Sequence, residues 1–175
     1  VFTGEGKGKT TAALGVGLRA IGANKKVLAI QFLKPGDSSE RESIKEIDDF
    51  KIKSLGREGF FVTKEKLEEN PELKKKGVES FKEEDKKRAR KGIQIATQKE
   101  GKYDIIILDE INLALNYNLI KTEKVLNFLE SIKNTHVILT GRNCPDSIIK
   151  KADLVTETKE VKHYYHQGHD PVKGI

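Results

Sequence analysis

The chain has 175 residues, 34% of them charged, and a net charge of +6. That length suffices for one domain with a buried core, and no apolar run approaches the ~18 residues that a membrane span needs. The single cysteine excludes an internal disulfide scaffold and fits a reducing, cytoplasmic setting.

The first predicted element is a strand over Val1–Thr3. It enters a glycine-rich turn and then a helix from Lys9 to about Ile21, stopped by Gly22. From Gly4 to Thr10 the turn reads "GEGKGKT". It ends as the phosphate-binding loop G-x-x-x-x-G-K-[ST] ends, but its first glycine is Gly4, which makes it one residue short. In a strand–turn–helix unit the backbone N–H groups converge on one point, and the helix N-terminus adds partial positive charge. Gly4, Gly6 and Gly8 permit close approach of phosphate oxygens. Lys9 brings a full positive charge, and the Thr10 hydroxyl is placed for Mg²⁺. Glu5 and Lys7 face outward along the rim of the binding stretch, which continues to Thr11. The mild basic balance suits an anionic ligand and does not call for nucleic acid.

A strand over Val27–Leu33 follows, then a helix whose Ser39 and Glu42 resemble a capping box, and a strand over Phe50–Leu55. Residues 56–77 are the least regular part, broken by Gly56, Gly59, Pro71 and Gly77, and would fold as a loop over the phosphate site. A long helix carries Val78, Phe81, Asp85, Ala89, Ile93 and Ala96 at three- and four-residue steps. The apolar run Ile105–Asp109 is a buried strand whose end delivers Asp109 and Glu110 to the carboxyl edge of the sheet. There α/β sheets bind ligands, and carboxylates hold hydrated Mg²⁺. A helix bearing Val125, Phe128, Leu129 and Ile132 leads to a strand over Val137–Thr140. Its exit, Thr140-Gly141-Arg142, leaves the sheet on the same edge, and Arg142 reads equally as a planar guanidinium for phosphate or as an exposed arginine in a turn. A last short strand spans Leu154–Thr156. Cys144 reads as a small loop residue. His163, His166 and His169 recur every three residues, but no cysteine or carboxylate set completes a metal site, and they read as a polar tail. The alternation of strands and helices predicts an α/β domain over residues 1–175, with a mostly parallel sheet covered by helices on both faces. The immediate entry into a strand and the lack of any methionine suggest that an N-terminal segment is missing.

The stretches "FTGEGKGKTTAALG", "VLAIQFLKPG", "GREGFF", "IIILDEINLAL", "VILTGRNCP", "ADLVTETKEVKH" and a final "KGI" occur in the order found in the corrinoid adenosyltransferases. The chain thus resembles the ATP:cob(I)alamin adenosyltransferase family of the RecA-like P-loop type, in which the short loop is itself part of the pattern. The resemblance implies transfer of the 5′-deoxyadenosyl group of ATP to the cobalt(I) of a corrinoid, with release of inorganic triphosphate. It also implies a nucleotide held in the opposite sense to that of ordinary P-loop NTPases. On this basis Lys9, Arg142 and the loop amides bind triphosphate, while Thr10 and Glu110, with Asp109 nearby, bind Mg²⁺. Family members carry aromatic residues in the loop after the third strand, which displace the lower axial base of the corrinoid. Phe60 matches the first such position; the second, often a tryptophan, falls on Val62, with Phe61 adjoining. Ordinary core packing is the competing expectation for Phe60 and Phe61. The resemblance further implies a flavoprotein reductant and a homodimer, and no membrane partner. Two other readings are a RecA-like ATPase acting on nucleic acid or a protein partner, and a nucleotide-gated binding module. The first would yield ADP and phosphate, the second no turnover.

Overall fold

The computed structural model describes residues 1–170, 172 and 174. The first and last positions of the closing "KGI" therefore lie outside the described residues. Strands β1 (Phe2–Thr3), β2 (Val27–Gln31), β3 (Phe50–Ser54), β6 (Ile105–Asp109), β7 (His136–Leu139) and β8 (Thr156–Glu157) pair in parallel throughout. The principal sheet has the order β3-β2-β6-β7, and β1 pairs with β8. One parallel bridge, Phe2 to Thr140, joins the two groups, with the Gly141 N–H donating to the Phe2 carbonyl at 3.2 Å.

The burial patterns follow from position in the sheet. In β2 and β6 all five residues are buried, as central parallel strands require. In β3, an edge strand, Phe50, Ile52 and Ser54 alternate with exposed Lys51 and Lys53. One face of the sheet buries Leu28, Ile30, Ile106 and Leu108 against Ala89, Ile93 and Ala96 of helix α5 (Glu83–Lys99) and against Val125 and Phe128 of α7 (Thr122–Ser131). The other face buries Val27, Ala29, Ile105 and Ile107 with Ala13 of α1 (Lys9–Ile21). Helices on both faces bring all the parallel strand ends to one edge, where Gln31 lies in register with Asp109 and with Ser54.

Several boundaries differ from the sequence expectation. Strand β2 stops at Gln31 rather than Leu33, because Leu33 turns the backbone to φ 60°. Strand β7 starts and ends one residue early, and β8 is Thr156–Glu157, with Leu154 left 70% exposed. Helix α2 (Ser39–Lys45) has Ser38 at its N-cap, and the box expected from Ser39 and Glu42 is not formed; the Glu42 carboxylate instead accepts from Lys45. Val78 and Phe81 precede α5 rather than belonging to it. The start of α5 is fixed by Asp85, whose carboxylate accepts the Lys82 N–H at 2.8 Å. Ile132 falls just beyond α7. Residues 56–77 are not a bare loop: they hold β4 (Phe61–Val62), α3 (Lys64–Glu69) and α4 (Pro71–Lys75). Strand β4 pairs with β5 (Glu79–Ser80) in a separate two-stranded sheet.

Candidate functional site

The loop between β1 and α1 forms one wall of a cleft of about 580 Å³. Glu5 through Thr11, Glu110 and Arg142 line it, together with Tyr117 and Lys66. Gly8 takes φ 100°, a left-handed conformation open to glycine, immediately before the first helical residue. Nothing stands within 4 Å of where a Cβ on Gly8 would sit. Gly4 takes a left-handed φ of 95° as well, and both Gly4 and Gly6 have a further reason to be glycine, absent from the motif. A Cβ on Gly4 would meet the Thr158 carbonyl oxygen at 2.4 Å, and one on Gly6 would meet the Lys159 carbonyl carbon at 2.8 Å. The segment after β8 lies against the back of the loop, and the glycines let it approach.

Lys9 is buried, and its ammonium donates to the carbonyls of Gly4 (2.7 Å) and Gly6 (2.6 Å). Burial, then the Arg142 charge, holds its pKa below the usual lysine range. Glu5 and Lys7 are exposed, as expected for the rim. Glu5 nonetheless has a partner in the cleft: Arg142 donates to its carbonyl at 3.1 Å, with Nε 3.2 Å from its carboxylate. Lys7 reaches the Tyr164 hydroxyl at 3.4 Å.

The two carboxylates at the end of β6 have different environments. Asp109 is fully buried: Oδ1 accepts from the hydroxyls of Thr10 (2.8 Å) and Thr140 (2.7 Å), and Oδ2 from Lys34 (2.8 Å) and the Gln31 amide (3.3 Å). Glu110 instead lines the cleft. Its backbone takes φ 62°, and its N–H donates to the Thr140 hydroxyl at 2.9 Å. Burial first, then the Asp109 charge, raises the Glu110 pKa above the ordinary carboxylate range. A cation beside both carboxylates would relieve that repulsion. Thr10, Asp109 and Glu110 form a hard-oxygen set of the kind Mg²⁺ prefers. Lys34, Gln31 and Thr140 were not anticipated. Gln31 and Lys34 come from the end of β2 and Thr140 from the end of β7, so their contacts with Asp109 leave no spacing signal in the sequence.

Phe60, Phe61 and Val62 do not line the phosphate cleft. Phe60 is 79% exposed, so core packing does not account for it. Phe61 is half-buried, 4.0 Å from the Arg57 guanidinium and 6.0 Å from the Phe81 ring. Val62 is half-buried in β4. Phe81 stands 5.0 Å from Tyr117, so a line of rings runs from the "GREGFF" segment to the cleft. The Arg57 guanidinium grips Asp85 through Nε (2.7 Å) and Nη2 (2.8 Å) and ties that segment to α5.

His163 accepts the Tyr165 N–H through Nδ1, and His166 pairs with Glu160 at 2.7 Å. Among the described residues no group of three or more His, Cys, Asp or Glu side chains is placed to hold a metal. Burial pushes the Cys144 thiol up to about 11, unsuited to a nucleophile. Among the described residues no helix is long and apolar enough to cross a membrane.

The family model described as "ATP:corrinoid adenosyltransferase BtuR/CobO/CobP" matches residues 1–175. A corrinoid adenosyltransferase of Sinorhizobium sp is 34% identical over 180 residues, covering 100% of this chain and 78% of the relative. That of Escherichia coli (strain K12) is 31% identical over 171 residues, covering 96% and 79%. Corrinoid adenosyltransferase CobA of Salmonella typhimurium (strain LT2) is 31% identical over 183 residues, covering 100% and 83%.

Proposed function

The chain belongs to the ATP:corrinoid adenosyltransferase family, and from that membership we propose how its residues divide the work of moving the adenosyl group of ATP to corrinoid cobalt. The observation that carries the assignment is the convergence of the Glu5–Thr11 loop, Glu110 and Arg142 on one cleft. The loop amides and the N-terminus of α1 take the triphosphate, with Lys9 and Arg142 supplying positive charge. Thr10, Asp109 and Glu110 hold Mg²⁺, which when bound neutralises charge on the triphosphate.

Cobalt(I) of the substrate is the nucleophile. It attacks the ribose 5′ carbon, the carbon–oxygen bond to the α-phosphate breaks, and its electron pair leaves with inorganic triphosphate. No proton moves, so no general base is needed; the protein contributes position and electrostatics. Kinases and ATPases stabilise charge around the γ-phosphorus, whereas here charge grows at the ester oxygen of the α-phosphate. A shortened loop braced from behind by residues 158–159 is suited to hold the whole triphosphate as a leaving group. Phe60, held outward beside the Arg57–Asp85 clamp, meets the lower face of the corrinoid, with Phe61 and Val62 beneath it.

The same reading treats residues 1–175 as one P-loop domain that acts as a cytoplasmic homodimer and receives electrons through a flavoprotein. Incubation with ATP, Mg²⁺ and chemically reduced cobalamin tests it. The absorbance of a new cobalt–carbon bond and stoichiometric triphosphate are expected. ADP and phosphate in their place would point to the competing ATPase reading.

A further inference from the structure

Lys34 follows the left-handed turn at Leu33, which lifts the chain out of β2 at the carboxyl edge of the sheet. Its Nζ lies 2.8 Å from Asp109 Oδ2 and 3.1 Å from the Thr10 hydroxyl, with Glu40 Oε1 at 3.8 Å. Asp109 and Thr10 are two of the residues assigned above to a divalent ion, and the ammonium rests against the oxygens of both. Asp109 has no exposure to solvent. A buried carboxylate stripped of its counter-charge is strongly destabilising, so the fold needs a cation at this point. A divalent ion and an ammonium cannot share it, because like charges a few ångströms apart repel strongly in a partly buried site.

We propose that Lys34 is a tethered cation that compensates Asp109 in the free protein and must leave Asp109 and Thr10 before a divalent ion can bind there. The inference rests on the assignment of Thr10 and Asp109 as metal ligands. Its consequence is an order of binding. An ion arriving alone takes up Asp109 and Glu110, whose charges otherwise act on Lys34, and among the described residues leaves it the longer Glu40 pairing at 3.8 Å. An ion arriving with a nucleotide brings phosphates beside the loop, within the sweep of the lysine's flexible stem. The free protein therefore binds the bare ion weakly and the metal–nucleotide complex well. Lys34 acts through the ligands it holds and is a positioning residue.

Mn²⁺, which paramagnetic resonance detects free in solution, measures this without nucleotide and without turnover. Lys34→Met removes the competing charge at similar volume and should bind Mn²⁺ about tenfold more tightly than the parent, a coupling of ordinary size. Lys34→Arg keeps the charge and should stay close to the parent. Equal or weaker Mn²⁺ binding by Lys34→Met overturns the inference. Amine acylation of the parent protein, read by mass spectrometry, gives a second measure that needs no variant. Saturating Mn²⁺ should raise modification of Lys34 several-fold, and unchanged modification overturns the inference. Asp109→Asn separates the two levels. If it weakens Mn²⁺ binding while Lys34→Met leaves it unaltered, the metal site stands and the competition falls. If Asp109→Asn leaves Mn²⁺ binding unaltered, the metal assignment and the inference fall together.

Discussion

Gly6 and Thr158 exchange two hydrogen bonds across the back of the phosphate loop. The Gly6 N–H donates to the Thr158 carbonyl at 2.9 Å, and the Thr158 hydroxyl donates to the Gly6 carbonyl at 3.0 Å. The same hydroxyl lies 3.0 Å from the Thr3 carbonyl. The loop is thereby held from behind by a segment near the other end of the chain, leaving its open side to the cleft. Gly6→Ala would drive a methyl into the Lys159 backbone and displace the loop. We expect ATP affinity, read by titration with a fluorescent nucleotide, to fall by at least about tenfold, since misplacement by an ångström is costly in such sites. Affinity equal to the parent's would show that residues 158–159 do not set the loop's shape.

Thr10→Val keeps shape and deletes a hydroxyl; Glu110→Gln keeps shape and deletes a charge. Both should raise the Mg²⁺ concentration needed for half-maximal transfer. Glu110→Gln should also leave the Asp109 hydrogen bonds intact, because Asp109 is bonded to Thr10, Thr140, Lys34 and Gln31 and not to Glu110. A Mg²⁺ titration superimposable on the parent's would remove both residues from the metal site.

The Arg57–Asp85 pair makes stability depend on pH. Burial alone would push the Asp85 carboxyl up, but the Arg57 hydrogen bond, the Lys82 N–H and the Arg57 charge outweigh it and hold the pKa below the usual range. A depressed folded pKa contributes stability that is present above the unfolded value of about 3.9 and is lost as pH falls through the folded value. Asp85→Asn should therefore destabilise the protein by about 3 kcal/mol at neutral pH. In denaturant melts the gap between variant and parent should shrink steadily below about pH 4. A gap that is constant across that window would mean the carboxylate charge contributes nothing.

Phe60 is exposed, so Phe60→Ala should change stability by no more than about 0.5 kcal/mol. Cobalt(II) that keeps its lower ligand is hard to reduce, and an apolar ring on that face excludes the ligand. Turnover begun from cobalt(II) with a mild flavin reductant should fall sharply. Turnover begun from pre-reduced cobalt(I), which disfavours axial ligands, should fall much less. Equal losses from the two starting states would remove Phe60 from the corrinoid face.

What could be read from the sequence was local. Helix α1 and strand β6 stand at the residues expected, and β2 begins where expected, because a glycine-rich turn into an apolar helix and a short apolar run each carry their own signal. The order of motifs likewise identified the family, and the loop, Glu110 and Arg142 do meet at one cleft. Other features were set by the sheet order. Placing β2 beside β6 brings Lys34 and Gln31 to Asp109, and pairing β1 with β8 puts Thr158 behind Gly6. No spacing encodes those contacts, because they join strand ends far apart along the chain. The segment after β3 was misread for the same reason. Its short helices and two-residue strands are too brief to show a period, and Arg57, Phe61 and Asp85 hold it in place through contacts that only the folded chain creates.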